Sequence, residues 1–461
     1  MRRAKVLWTP HPYKAGFSIT DDTDRATYQQ VKIVYDHLRD IGFPVTKTVW
    51  SFEPQEPCGV PPMHEEREET ALLVHDEYFQ YCKQLASEGF EICSHGASGG
   101  NNPREFTLES LELLQQEFGQ TDTYIQHSKN ACNLYYEEKV ANDPVFRFLL
   151  KLYSRNKCFG EVEGSKYFWG DVCRERIKQI RLFRTRNTNT LAVNPSMPYY
   201  DANKPYVRSW FAATRRAFAD CATSDAIDKL KRENGLTVLY QYLRSYADLD
   251  TNRVTDEFHQ GTKRLVDDGE IWLAPVRDTL DRLRAMQGLF VVYRGLNAWL
   301  VNTGDDIEKL QMVIPEGVEI DSRHVGLHRA GDIVVVKSVP GGKISQLEFS
   351  KPLRWEGRAV QLGKKRKAIC DFGFGKIYVN LATRGWDTGN TFVPPGEYKL
   401  EFNRGLRDIQ PLSKASFIEE YRMILHQMWI IMRQILFRGR SLSTKKYVNR
   451  QIDDQLIHVG W

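Results

Sequence analysis

Over residues 1–290, short apolar runs alternate with amphipathic stretches, and few folds accommodate that pattern. KVLWT and AGFSI read as strands, and TYQQVKIVYDHLRDIG reads as an amphipathic helix closed by Gly42. FPVTKTVWSF returns to strand, HEEREETALLVHDEYFQYCKQLASEG to helix, and FEICSHG to strand again. TLESLELLQQEFG and TYIQHS repeat the pair, as do the later segments GLTVLYQYL, TDEFHQGTKRLVDDG, EIWLA and VRDTLDRLRAMQ. Strands separated by helices of this length imply a mostly parallel sheet, open or closed into a barrel. After about residue 290 the signal changes to short strands with Gly-rich turns, such as LFVVYRG, AWLVNTG, DIVVVKSVPGG and GEYKLEFNRG, as expected of a β-sandwich. Residues 413–440 return to helix. The expected partition is a (β/α) domain over 1–289, a β-sandwich-like module over 290–405, and a basic amphipathic segment over 406–461.

Charge narrows the function classes. Lys and Arg number 64 against 59 Asp and Glu, a net charge of +5, so no general nucleic-acid surface follows. Residues 421–450 hold seven Lys or Arg and no acid, leaving −2 for the rest of the chain. The eight cysteines form no CxxC pair, which argues against a cysteine zinc site. The N-terminus lacks the apolar core of a signal peptide, and no run of about 20 apolar residues predicts a membrane span. A reducing cytoplasm is the expected setting.

Strand ends carry the chemistry. In Gly16-Phe-Ser-Ile-Thr-Asp-Asp-Thr-Asp24 an apolar strand runs into three carboxylates. Parallel α/β folds direct strand C-termini into the functional crevice or barrel mouth. One acid suffices to cap the next helix, and either Asp24 or Thr23 serves, so Asp21 and Asp22 are left to divide the roles of ligand and base. Phe90-Glu-Ile-Cys-Ser-His95 is a second strand, ending in His and followed by a small polar loop; Thr123-Tyr-Ile-Gln-His127 is a third. One carboxylate and two imidazoles at successive strand ends are a divalent-metal arrangement. With an open position they suit zinc or a similar water-activating ion.

The SITDDTD strand end, the strand ending in His95 and the α/β layout resemble polysaccharide deacetylases of the NodB-homology type, and most closely the WbmS-like subgroup of O-antigen and capsule clusters. The likeness covers roughly residues 1–290. It implies an irregular (β/α) barrel and metal-dependent removal of N- or O-acetyl groups from a glycan or a lipid-linked precursor. It also implies Asp21 as base and Asp22 as metal ligand beside His95. The family's second motif His is Gly99 here, so His127 stands in from its own strand end. The Arg that orients the base corresponds to Arg184 or Arg186. The terminal His that acts as acid is replaced by Tyr242, whose ordinary pKa near 10 makes it a weaker acid. His259 falls in a helix and is not its substitute.

Trp169, Tyr199, Tyr200 and Trp210 are either a sugar-stacking platform or ordinary core. The apolar stretch 423–437 with its flanking cations either docks on the protein body or lies on an anionic membrane surface, the inner membrane in this reading. Two rival readings are a glycoside hydrolase with a carboxylate pair and a catalytically degenerate glycan-binding subunit.

Overall fold

The computed structural model describes residues 2–60, 72–119, 122–152, 157–302, 304–322, 325–355 and 417–438, with three short strands between 366 and 388. Seven parallel strands close a barrel: β2 (Ala15–Asp21), β3 (Thr46–Val49), β4 (Glu91–Ser94), β5 (Thr123–Tyr124), β6 (Gln179–Thr185), β7 (Trp210–Thr214) and β8 (Leu236–Gln241). Closure runs from Gly16 opposite Leu236 to Asp21 opposite Gln241. β1 (Arg2–Pro10) precedes the barrel; β9 (Ala247–Asp248) and β10 (Arg253–Val254) form a separate small ribbon, and β11 (Ile271–Leu273) adds to the start of β2. This is the irregular (β/α) barrel expected from the sequence.

Local chemistry sets the elements. All seven residues of β2 are buried, as a barrel strand covered by helices requires. Helix α1 (Tyr28–Asp40) starts on a capping box between Thr27 and Gln30 and turns Val31, Val34, Tyr35 and Leu38 inward. Past its end Gly42 takes φ +69°, the left-handed conformation that favours glycine. Gly16 has a different role: a Cβ there would meet the Trp8 ring at 2.7 Å and Leu236 at 2.9 Å. The bare Cα lets Trp8 seat against the barrel, where its indole N–H donates to the Asn234 carbonyl at 2.7 Å.

Between residues 289 and 355 the module is built of two sheets, and the three short strands between 366 and 388 pair in a third. One holds β12 (Leu289–Arg294), β13 (Asn297–Asn302), β18 (Lys343–Phe349) and β15 (Ile320–Asp321). The other runs β16 (Leu327–Ala330), β17 (Ile333–Val339), β14 (Ile307–Val313), β1, β19 (Leu353–Trp355). Leu300, Leu310, Met312, Val334, Val336 and Leu347 share one apolar cluster there. β1 pairs antiparallel with β14 and parallel with β19, so residues 2–10 lie in this module's sheet and not in the barrel, where a boundary at 289 would leave them. The sequence pattern did not predict β14, because its backbone is irregular: Lys309 has φ +49° and the β1 pairing shifts register nearby. The expected strand GEYKLEFNRG lies outside the described residues.

The C-terminal helix (Phe417–Arg438) packs on β6 and on the short helix Thr190–Val193. Its buried Glu419 carboxylate accepts from Asn194 Nδ2 at 2.6 Å, Ser196 N at 3.0 Å and Ser196 Oγ at 2.6 Å. Met423 and Ile424 join the apolar cluster of Trp169 and Trp210.

Candidate metal and catalytic site

β2 ends on Asp21 with Asp22 just past it, and strand alternation sends the two carboxylates to opposite faces. Asp21 turns out toward α1. There it meets Lys47 Nζ at 3.0 Å, accepts from the Tyr35 hydroxyl at 2.9 Å, and accepts from Leu243 N at 2.8 Å. Asp22 turns inward. Arg181 on β6 grips it with two parallel bonds, Nη1 to Oδ1 at 2.9 Å and Nη2 to Oδ2 at 2.8 Å. The Arg181 guanidinium in turn lies 4.1 Å from the centre of the Tyr240 ring. Two residues on, Asp24 shares the inward side with Asp22.

Asp24, His95 and His127 form the cluster that can hold a metal, with all ligand atoms within 4.8 Å of one another. His95 follows β4 directly, and His127 lies three residues beyond β5. His127 Nε2 is 2.8 Å from Asp24 Oδ1, and His95 Nε2 is 3.2 Å from Asp24 Oδ2. His95 Nδ1 lies 2.7 Å from the Ile125 carbonyl, a bond only an N–H can make. That contact puts a proton on Nδ1 and turns Nε2 toward the cluster, as a carbonyl partner commonly orients a metal-binding imidazole. Burial alone would raise the Asp24 carboxyl, but His127 and His95 hold it well below the ordinary carboxylate range. The indole of Trp50 packs beside both imidazoles, at 5.6 Å from His95 and 5.3 Å from His127.

A pocket opens over this cluster, lined by Asp22, Asp24, His127, Arg181, Arg184 and Tyr242 among others. The β6–β7 register shifts between Arg181 and Phe183, and this bulge brings both Arg181 and Arg184 to the pocket wall although they are three residues apart. The Tyr242 hydroxyl lies 2.5 Å from that of Tyr240. Burial, with Tyr240, Asp24 and Asp22 nearby, pushes the Tyr242 phenol well above its usual pKa.

The structure thus gathers His127, Asp22, Arg184 and Tyr242 at one mouth, buries His95 behind them in the ligand cluster, and leaves Asp21 outside it. In the ligand cluster Asp24 takes the place expected of Asp22. Asp22, not Asp21, faces the pocket, and the arginine that clamps it is Arg181 and neither Arg184 nor Arg186. The Arg186 guanidinium lies over the Trp429 ring at 5.5 Å, on the C-terminal helix. Alternation along β2 was the available signal for Asp24, since it shares the face of Asp22. Nothing local marked Arg181, which sits in the apolar run IRLF. Trp169, Tyr199, Tyr200 and Trp210 are all buried and belong to the core, so they form no stacking platform.

No protein-family model matches the chain, and no curated protein matches it. Solved structures do. A protein assigned as a polysaccharide deacetylase from Pseudomonas aeruginosa PAO1 superposes at a TM-score of 0.34 with 11% identity, covering 59% of this chain and 91% of its own. One assigned likewise from Mycobacterium smegmatis gives 0.33 and 10%, covering 60% and 94%. A mutant of a CE4-family pseudoenzyme with restored enzymatic activity gives 0.24 and 8%, covering 59% and 70%.

Proposed function

We propose that the chain is a metal-dependent hydrolase of the polysaccharide-deacetylase type, removing acetyl groups from a sugar of a glycan or its lipid-linked precursor. The observation that carries this reading is the pairing of Asp24, His95 and His127 with an arginine-clamped carboxylate beside them. Two imidazoles and one carboxylate suit zinc, and Asp24, His95 and His127 would hold it. Such an ion supplies Lewis acidity toward an acyl oxygen and lowers the pKa of water.

The chain's own residues divide the remaining work. Asp22 Oδ2 lies 4.0 Å from His95 Nε2, next to the ligand cluster, so Asp22 is placed to take the proton of an attacking water. Arg181 uses both nitrogens to fix the orientation of that carboxylate. Tyr242 keeps its proton because burial holds its pKa up, so it serves as a hydrogen-bond donor at the reacting oxygen more readily than as a proton-transfer acid. Arg184 adds positive charge at the mouth, where an anionic sugar substituent would meet it.

The seven cysteines whose side chains are described are buried free thiols, which fits the proposed cytoplasmic setting. The test is acetate release from acetylated sugars by zinc-loaded protein, together with elemental analysis. One bound ion per chain and metal-dependent acetate release are expected. A protein that takes up no divalent ion, or that cleaves glycosidic bonds instead, ends this reading.

A further inference from the structure

The helix Pro144–Lys151 and the C-terminal helix both border the candidate pocket, through Leu150 and Gln427. They also touch one another: the Phe146 and Tyr421 rings are 5.3 Å apart, and Asn142 N donates to Glu420 at 3.0 Å. Each buries one side in the same apolar cluster, through Leu150 on the first and Met423 and Ile424 on the second. Each also carries apolar side chains on the side away from that cluster.

On the first helix, Val145, Phe148 and Leu152 are 65%, 62% and 63% exposed. At about 100° per residue they fall within one narrow arc. On the second, Ile418, Tyr421, Leu425, Trp429 and Met432 are 42–69% exposed. Their spacing of three, four, four and three makes a single stripe about 21 Å long, opposite the buried face. Single exposed apolar residues need no explanation, but a continuous set on two adjoining helices marks a contact surface.

We propose that this two-helix face docks on an anionic lipid bilayer and brings the pocket mouth to the membrane interface. Charge chooses the occupant. Arg147, Lys151 and Arg422 are exposed among the apolar positions, and the Arg186 guanidinium lies over Trp429. Of the acids on the two helices and at the start of the first, Asp143 caps the first helix, Glu419 is buried against Asn194 and Ser196, and Glu420 accepts from Asn142. A second copy seated on the same face would set these cations against themselves. An anionic surface pairs with them, while Tyr421 and Trp429 occupy the headgroup depth that amphipathic aromatics favour. Residues 421–450 hold seven cations, Arg422 among them, and no acid. If the proposed hydrolase activity holds, the acetylated sugar is presented on a lipid carrier.

The test uses the full chain with phosphatidylcholine vesicles and with vesicles that also contain phosphatidylglycerol. Wild type is expected to co-sediment with the anionic vesicles and to release as salt rises. Phe148→Ser with Trp429→Ser should weaken binding at least about tenfold, with an unchanged melting curve. Arg147→Glu with Lys151→Glu should weaken it by roughly 25-fold or more, at about fivefold per charge lost. Wild type that ignores anionic vesicles at low salt overturns the proposal, as do two double variants that bind like wild type. A wild-type dimer that Phe148→Ser with Trp429→Ser splits into monomers, without vesicle binding, assigns the face to self-association and also overturns it. Vesicle binding without acetate release from any sugar upholds the docking and removes only the hydrolase reading.

Discussion

Inside and around the barrel, Lys47, Asp21, Asp22, Arg181, Glu91 and His95 are buried, whereas the cluster between the two sheets of the second module is made of Leu, Val, Ile, Met, Ala and Phe. A buried charge costs several kcal/mol unless paired, so such groups persist where pairing is good or chemistry uses them. The barrel contains both cases. Asp21–Lys47 joins β2 to β3 and, through the Tyr35 hydroxyl, to α1; Asp22–Arg181 faces the pocket and the ligand cluster. Burial and pairing therefore do not identify a site by themselves. The face of the strand from which the charge projects makes the distinction.

The strongest way to break that comparison is Asp22→Asn. It should keep the metal yet lose on the order of 10²–10⁴-fold in acetate release, because an amide cannot accept the proton. The same change at Asp21 should leave turnover per folded molecule nearly intact, and a large loss there would return Asp21 to the chemistry. Next is Lys47→Met, which strands Asp21 without its cation. Urea unfolding should show a loss of about 3–5 kcal/mol, and an added Asp21→Leu should recover much of it. Leu310→Ala probes the apolar module: about 2–5 kcal/mol of stability, measured by urea unfolding, with kcat unchanged.

The smallest effect is the acid-limb contribution of Asp201, whose carboxylate pairs with the buried Lys204. Burial would raise its carboxyl, but Lys204, at 2.5 Å, and Asn142, at 2.7 Å, hold it below the ordinary value. A depressed folded pKa stabilises above the unfolded value near 4, and the benefit fades as pH falls through the lower folded value. Asp201→Asn should therefore flatten the acid limb of the stability curve below about pH 4 by roughly 1 kcal/mol and leave pH 7–8 behaviour to the lost ion pair. An acid limb identical to wild type would assign the acid loss to other carboxylates.

Much of the barrel was legible because its signals are local. Apolar strands and amphipathic helices alternate visibly, and His95 and His127 stand just past strands. The choice among Asp21, Asp22 and Asp24 was less so: the run DDTD presents equivalent carboxylates, and only the pleat separates the first from the other two. β14 was missed because Lys309 breaks the alternation.

By itself, then, the chain's order of residues determined the elements, the strand-end positions of the ionisable groups, and the amphipathic stretch at the C-terminal end. Tertiary structure decided the rest. Closure of β2 on β8 turned Asp22 toward Arg181, 159 residues away. A bulge in β6 brought Arg181 and Arg184 to one wall. β1 left its sequence neighbours for β14, with Lys5 opposite Val313. Each of these depends on partners distant in sequence, selected by burial and hydrogen-bond pairing once the chain is closed, and a local pattern holds no record of such partners.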